Sequence, residues 1–387
     1  MTAKTIRSLK ITNFKSIDSL ELGDGLTPFS VFAGPNGSGK SNFFDALDFV
    51  SLFIRNGIDA ALRSHGRYEN IHSEKKKAGN ARKFDFVIEC ALPDNRKDKA
   101  GKEAIFKYSL SIHQLDDRPQ IEDRLSINGS DFIDRPKGEP PVLKGEGNEK
   151  DERVEKFPQD YSALLLFSGM PLAELLRNLR LYRIDPLGAK EPNLFDRDPT
   201  ELERKGHNLA SVLNRMEGNE QSRDAILEWM EMIVPGIESI QTEERMLESK
   251  TAILFKEHGT SRRFPAHMVS DGTIYALCLL VAVLDSPSEY GITLIEEPER
   301  GLHPKPIREL VGLMRDLAAP ANPIWLSSHS ETVVRELKME ELVLVDKKNG
   351  RTKMKRADSG NLTQENLAPL NLDEAWLSNL LDGGLPW

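Results

Sequence analysis

Apolar and polar positions alternate through the first 25 residues, with Leu9, Ile11, Phe14, Ile17, Leu20 and Leu22 on the apolar side. A period of two predicts a pair of half-buried strands joined as a hairpin. Phe29 to Ala33 is a continuous apolar run that stops at a glycine-rich turn, and Ser41 to Ile54 then carries Phe43, Phe44, Leu47, Val50, Leu52 and Ile54 at helical spacing. The unit reads as strand, glycine-rich loop, helix. Further strands are predicted at Phe84–Ala91 and Ile105–Ile112, with a hairpin turn at Asn128-Gly129. Residues 134–156 are too polar, and too rich in Pro and Gly, to bury surface, which predicts a mobile insertion. Residues 162–181 and 207–233 read as amphipathic helices, and neither sustains the heptads of a long coiled coil. From Pro265 the order is helix, strand (Ile292–Ile295), helix (Lys305–Leu317), strand (Ile324–Ser327), helix, strand (Leu342–Val345). Such alternation predicts an α/β fold on a largely parallel sheet. No internal repeat is visible.

A chain of 387 residues carries a prior of two to three domains at roughly 150 residues each. The divisions expected are 1–133, 134–264 and 265–387. Hydrophobic residues at 39% supply a sizeable core, which excludes wholesale disorder. No apolar run approaches the ~18 residues of a membrane span, and the opening MTAKTIRSLKITNF lacks the apolar stretch of a secretory signal. Cys90 and Cys278 are too few for a disulfide framework or a cysteine-only zinc site. A cytoplasmic protein is expected. The 52 basic residues against 61 acidic ones leave a net charge of −9, which argues against nucleic acid as the sole partner. One local basic cluster, Lys75 to Lys83, stands against that balance. The 217–250 segment is acidic and suits either a solvated face or a docking surface for a basic partner.

Gly34-Pro-Asn-Gly-Ser-Gly-Lys-Ser41 fits G-x-x-x-x-G-K-[ST] at every fixed position, after an apolar strand and before a helix. Its glycines let backbone N–H groups face inward around phosphate oxygens, and the helix dipole adds to the attraction. Lys40 is placed for the β- and γ-phosphates, and the Ser41 hydroxyl for Mg²⁺. Ile292 to Glu297 is an apolar strand ending in two carboxylates. Glu296 is placed to hold Mg²⁺ through water, and Glu297 to orient or deprotonate the attacking water.

With those residues in view, I-T-N-F-K-S (Ile11 to Ser16), the P-loop, V-S-D-G-T (Val269 to Thr273), L-I-E-E-P-E-x-G-L-H-P and W-L-S-S-H-S together carry a resemblance. The set resembles ABC-type soluble ATPases of the SMC/RecF-like and OLD-like group, often counted with the AAA family. Gly206 to Leu213 resembles a helix start of the same group. The resemblance implies a P-loop head with an N-terminal antiparallel part and a helical insertion, using ATP and Mg²⁺. It puts Gly34, Pro35, Asn36, Gly37, Ser38, Gly39, Lys40, Ser41 and Asn42 on the nucleotide, with Lys15 and Ser16 at its phosphates. Ser270-Asp271-Gly272 matches the signature that contacts the γ-phosphate of ATP held by the other subunit. Ser270 is also a good N-cap, Gly272 permits close approach, and an ordinary cap before an apolar helix needs no partner. Asp271 departs from the glycine of transporters, so it is expected to point away from phosphate or to bond locally. His329 matches the switch histidine, making the implied catalytic set Glu297, His329 and Lys40. No Q-loop residue is secure, since His72 reads equally well as a solvated loop histidine. The implied assembly is a homodimer closing on two ATP molecules. Its expected output is control of a separate nuclease or toxin effector in bacterial anti-phage defence. The alternative is a RecF-like clamp on double-stranded DNA in repair, with Lys75, Lys76, Lys77, Arg82 and Lys83 as its contacts.

Overall fold

The computed structural model describes residues 5–23, 26–71, 83–96, 101–115, 118–145, 150–196, 199–245, 247–285, 289–359 and 370–385. The alternating N-terminal segment forms β1 (Ile6–Phe14) and β2 (Ile17–Leu22), an antiparallel hairpin with Phe14 opposite Ile17. β3 (Phe29–Ala33) is buried at every position, as a strand covered on both faces must be, and leads through the P-loop into α1 (Lys40–Asn56). Short helices α2 (Ile58–Ser64) and α3 (Arg67–Ile71) follow.

β4 (Lys83–Asp94), β5 (Lys102–Leu115), β6 (Arg118–Ile127) and β7 (Ser130–Arg135) extend the hairpin into an antiparallel sheet. Asn128 and Gly129 turn it with φ of +51° and +83°, the left-handed pair that suits a two-residue hairpin. Where the composition of 134–156 predicts a mobile insertion, the chain instead adds β8 (Val142–Leu143) and β9 (Glu152–Arg153), completing the order β2-β1-β4-β5-β6-β7-β8-β9. The anchor there is polar, which is why hydropathy misses it. Arg135 is fully buried and donates to the carbonyls of Tyr161 (2.6 Å) and Gln159 (2.7 Å).

Residues 162–181 are not one amphipathic helix. A 3₁₀ turn at Ala163–Phe167 gives way to α4 (Pro171–Arg177), restarted by Pro171 at its first turn, and then to a strand, β10 (Leu179–Tyr182). Next come α5 (Pro186–Ala189), β11 (Asn193–Leu194), α6 (Leu209–Glu217) and α7 (Glu220–Ile233). The predicted 207–233 helix is thus divided at Gly218-Asn219, where Asn219 caps α7 by accepting from Ser222 N at 3.1 Å. The acidic segment holds β12 (Ile237–Arg245), paired antiparallel with β13 (Lys250–Glu257), and β14 (Phe264–Pro265) joins β13. The middle region is therefore part helix and part sheet.

The C-terminal part supplies α8 (Asp271–Leu284), β15 (Ile292–Glu296), α9 (Pro304–Leu317), β16 (Ile324–Ser328), α10 (Glu331–Arg335), β17 (Leu342–Lys348), β18 (Arg351–Arg356) and α11 (Leu372–Leu377). Together with earlier strands they form one sheet in the order β10-β15-β16-β3-β17-β18, parallel except for β18. Its two faces feed two cores. Phe32 and Trp325 join the α1 phenylalanines and the antiparallel sheet on one side, while Val31 and Leu326 face α8 and α9 on the other. Each fully buried aromatic or aliphatic side chain contributes about 1.5–3 kcal/mol relative to exposure. Among the described residues no helix is long and apolar enough to cross a membrane.

Candidate nucleotide site

Strand register brings the motif residues together. β15 and β16 pair with Glu296 opposite Ser327, and β16 and β3 pair with Ser328 opposite Ala33. Glu296, the Ser328-His329 turn and the P-loop therefore leave the sheet at the carboxyl ends of three adjacent parallel strands, where open α/β sheets take ligands.

The P-loop is shaped by its neighbours as well as by its glycines. Gly39 sits at φ +107°, and a Cβ there would lie 1.9 Å from Thr352 Oγ1. Thr352 donates to Ser38 O (3.0 Å) and hydrogen-bonds Ser16 Oγ (2.7 Å), which accepts from Asn42 Nδ2 (2.6 Å). Gly34 is as tightly confined, with Val345 O 2.1 Å from a would-be Cβ, whereas the same position at Gly37 opens onto free space. Lys40 Nζ donates to the carbonyls of Gly34 (2.7 Å) and Pro35 (2.9 Å). Burial pushes its pKa down, against the pull of Glu297, Glu299 and Glu296. Lys15 donates to Asp45 at 2.5 Å.

Glu296 is held by an arginine that the sequence does not single out. Arg183 Nη2 donates to Glu296 Oε1 at 2.7 Å, lies 2.9 Å from Asp45 Oδ1, and reaches Ser41 O at 3.4 Å. Arg204 spans Asp45 (3.1 Å) and Asp48 (2.9 Å). Burial alone would raise the Asp45 pKa, but Arg183 and Lys15 outweigh it and hold the carboxyl below its ordinary range. The one signal for this cluster is the spacing of Asp45 and Asp48, which puts two acids on one face of α1.

Glu297 adopts φ +51°, a left-handed conformation that side chains rarely take. Its amide donates to Ser327 O at 2.8 Å, and its carbonyl accepts from the Tyr275 hydroxyl at 2.7 Å. His329 Nδ1 lies 3.6 Å from both Glu297 Oε1 and Glu299 Oε1. Glu299 accepts from Ser328 Oγ (2.8 Å) and His329 N (3.3 Å), and its burial pushes its pKa up. Thr352, Arg183, Arg204 and Tyr275 are thus additions to the residues that the motifs name, and Glu299, inside a motif but given no role there, joins them.

Ser270 caps α8, its Oγ accepting from Thr273 N at 3.1 Å. Asp271 is ion-paired with Lys190, far from it in sequence, rather than bonded to near neighbours. The room that Gly272 leaves is filled by the protein itself, since a Cβ there would stand 2.7 Å from Gly301 O. Close packing of α8 on the Gly301 turn, and not only access for phosphate, requires that glycine. His72, Lys75, Lys76, Lys77 and Arg82 lie outside the described residues, and Lys83 pairs with Asp85 at 2.9 Å.

The residues gathered here fit a nucleotide with a hard divalent ion. Ser38 Oγ, His329 Nδ1 and Glu299 Oε2 are buried without a hydrogen-bond partner among the described residues. Ser41 and Glu296 offer oxygen ligands, and no cluster of three or more His, Cys, Asp or Glu forms a self-contained metal cage among the described residues. Hard oxygen donors of that kind suit Mg²⁺, which is shared between one or two protein ligands, waters and phosphates.

A family model described as "AAA domain, putative AbiEii toxin, Type IV TA system" matches residues 29–335. Structural maintenance of chromosomes protein 1 of Arabidopsis thaliana is 30% identical over 125 residues, covering 32% of this chain and 8% of that protein. Its namesake from Caenorhabditis elegans is 48% identical over 122 residues, covering 29% and 8%. The chain spans less than a tenth of the length of these relatives. Among solved structures, an Smc head bound to the C-winged helix domain of ScpA superposes with a TM-score of 0.59 at 15% identity, covering 93% of this chain and 99% of that one. An Smc head domain with an extended coiled coil, bound to the C-terminal domain of ScpA derived from Pyrococcus furiosus, gives 0.56 at 14%, covering 98% of each. At such identities the likeness is one of fold.

Proposed function

The chain belongs to the AAA domain family described as putative AbiEii toxin, Type IV TA system, and we propose that it is an ATP-hydrolysing head that dimerises on ATP as a nucleotide-gated switch. The observation that carries this reading is the convergence of the P-loop, Glu296-Glu297 and His329 at the carboxyl ends of adjacent strands. Residues 1–133 and 265–387 are two lobes of the head in this reading, with 134–264 inserted between them.

Lys40 exchanges its two carbonyl partners for the β- and γ-phosphates, which the loop from Gly34 to Asn42 surrounds, while Lys15 and Ser16 flank them. Ser41 and Glu296 would hold Mg²⁺, whose chemistry is to neutralise charge on the β- and γ-oxygens. Glu297 orients the attacking water and takes its proton. His329, beside Glu297 and Glu299, lies where charge on the γ-phosphate changes. Ser270-Asp271-Gly272 meets the ATP of a second copy, so that nucleotide favours the closed dimer and hydrolysis releases it.

Closure controls a separate effector, a nuclease or toxin, in bacterial anti-phage defence, with the head acting in the cytoplasm. The toxin-system description of the family and the capture of similar heads with a partner domain support this output. ATP-dependent binding of duplex DNA would favour the repair-clamp alternative. The test of the head itself is light scattering and phosphate release with ATP and Mg²⁺. Glu297→Gln is expected to bind ATP, stay dimeric and lose about 10²–10⁴-fold in turnover, while Lys40→Ala loses nucleotide binding. Wild-type turnover by Glu297→Gln overturns the assignment.

A further inference from the structure

Asp271 opens α8 with a carboxylate that is 55% exposed, and its partner is the ammonium of Lys190, whose side chain is only 12% exposed. Lysine is among the residues least often drawn in from solvent. Lys190 follows α5, a helix packed on α8, so its charge is delivered to the start of α8 from another part of the chain. The helix itself has no need of it. A carboxylate in the first turn is already favoured by the helix dipole, and Ser270 already caps the end. What the uncompensated carboxylate would oppose is the approach of another anion. Each partner also has a large exposed apolar side chain three residues before it in the chain, Leu187 at 65% and Met268 at 69% exposure.

We infer that Lys190 is a positioning residue of the ATP-dependent dimer: it neutralises Asp271 so that α8 can approach the triphosphate carried by a second copy of this chain. The inference rests on the head reading proposed above and extends it to a residue outside the signature. Lys190 acts through Asp271 and takes no part in binding nucleotide within its own protomer.

The pair is tested by measuring the dimerisation constant with ATP and Mg²⁺ by sedimentation equilibrium, with Glu297→Gln as the parent. An unbalanced charge at a partly exposed phosphate contact is worth about tenfold. Two composite sites per dimer make that about a hundredfold, which is the weakening expected of Lys190→Met, a change that keeps the aliphatic stem packed. Lys190→Arg should match the parent. Asp271→Asn should dimerise at least as tightly as the parent, and Lys190→Met combined with Asp271→Asn should recover most of the loss. Binding of a fluorescent ATP analogue to the monomer should be equal in all of them. If the pair merely clasps α5 to α8, Asp271→Asn weakens the dimer as Lys190→Met does, and the inference fails. It also fails, alone, if the parent dimerises and Lys190→Met matches it. A parent that stays monomeric with ATP overturns the head reading and this inference together.

Discussion

The hydroxyl of Tyr275 offers a sharp perturbation of the Glu296-Glu297 turn, proposed above as catalytic, without touching a carboxylate. It donates to Glu297 O at 2.7 Å and lies 3.3 Å from Glu296 O, so one group serves both residues of the pair. Burial raises the phenol pKa far above neutrality, so the hydroxyl remains a donor at every working pH. Tyr275→Phe leaves the ring in place and removes one of two donors to the Glu297 carbonyl, which keeps Arg300 N at 3.0 Å, a loss of about 0.5–1.5 kcal/mol. Glu297 is already held in a left-handed conformation at a cost of about 1–3 kcal/mol, which the missing hydrogen bond no longer offsets. The turn is then expected to relax and carry the carboxylate away from its working position. Converted to rate, the lost hydrogen bond is worth roughly 2- to 12-fold in kcat. KM for ATP should hardly move, because Lys40 and the P-loop are untouched. Steady-state phosphate release measures both constants, and a thermal melt reports the stability lost. A Phe variant that melts a few degrees early yet turns over at the wild-type rate would refute the coupling between this hydroxyl and the geometry of Glu297.

Two further outcomes concern stability. Asp45 has a folded pKa below its unfolded value of about 3.9, so its contribution is complete above about pH 5 and is lost as pH falls through the folded value. Urea denaturation of wild type and Asp45→Asn should therefore converge at low pH and separate above about pH 4; a constant gap would exclude the ion cluster as its source. Arg135→Met leaves Asp123, 3.8 Å away and equally buried, without its cation, at an expected cost of about 3–5 kcal/mol. Adding Asp123→Asn should return part of that stability, and purely additive losses would show that the two residues do not act as a pair.

What the sequence discloses is what depends on near neighbours. The β1–β2 hairpin, the β3–P-loop–α1 unit and the alternation from α8 to β17 all follow from short-range periodicity. β10 escapes notice because its strand character lies in pairing with β15, more than a hundred residues on. The β12–β13 hairpin is hidden by acidic residues that face solvent on a sheet with one covered side. The clamp on Glu296 is invisible for the same reason as β10, since Arg183 and Arg204 meet their acids across 113 and 159 residues. Asp271 is a milder case: the sequence shows its charge, and only the packing of α5 on α8 shows its partner.

The position of β3 has a consequence for the order in which the protein becomes functional during synthesis. Its two sheet neighbours are β16 and β17, and the turn it leads into is latched by Thr352, 314 residues after Ser38. When the P-loop leaves the ribosome, none of these exists. The nascent N-terminal part can pair β1, β2 and β4 among themselves, but β3 has no parallel partner and Gly39 lacks Thr352, the nearer of the two side chains that confine it. Contacts this far apart in sequence form late and slowly. The first strand of the nucleotide site is thus among the last to be finished, so a chain stalled before residue 352 carries the phosphate-binding motif without the fold that shapes it.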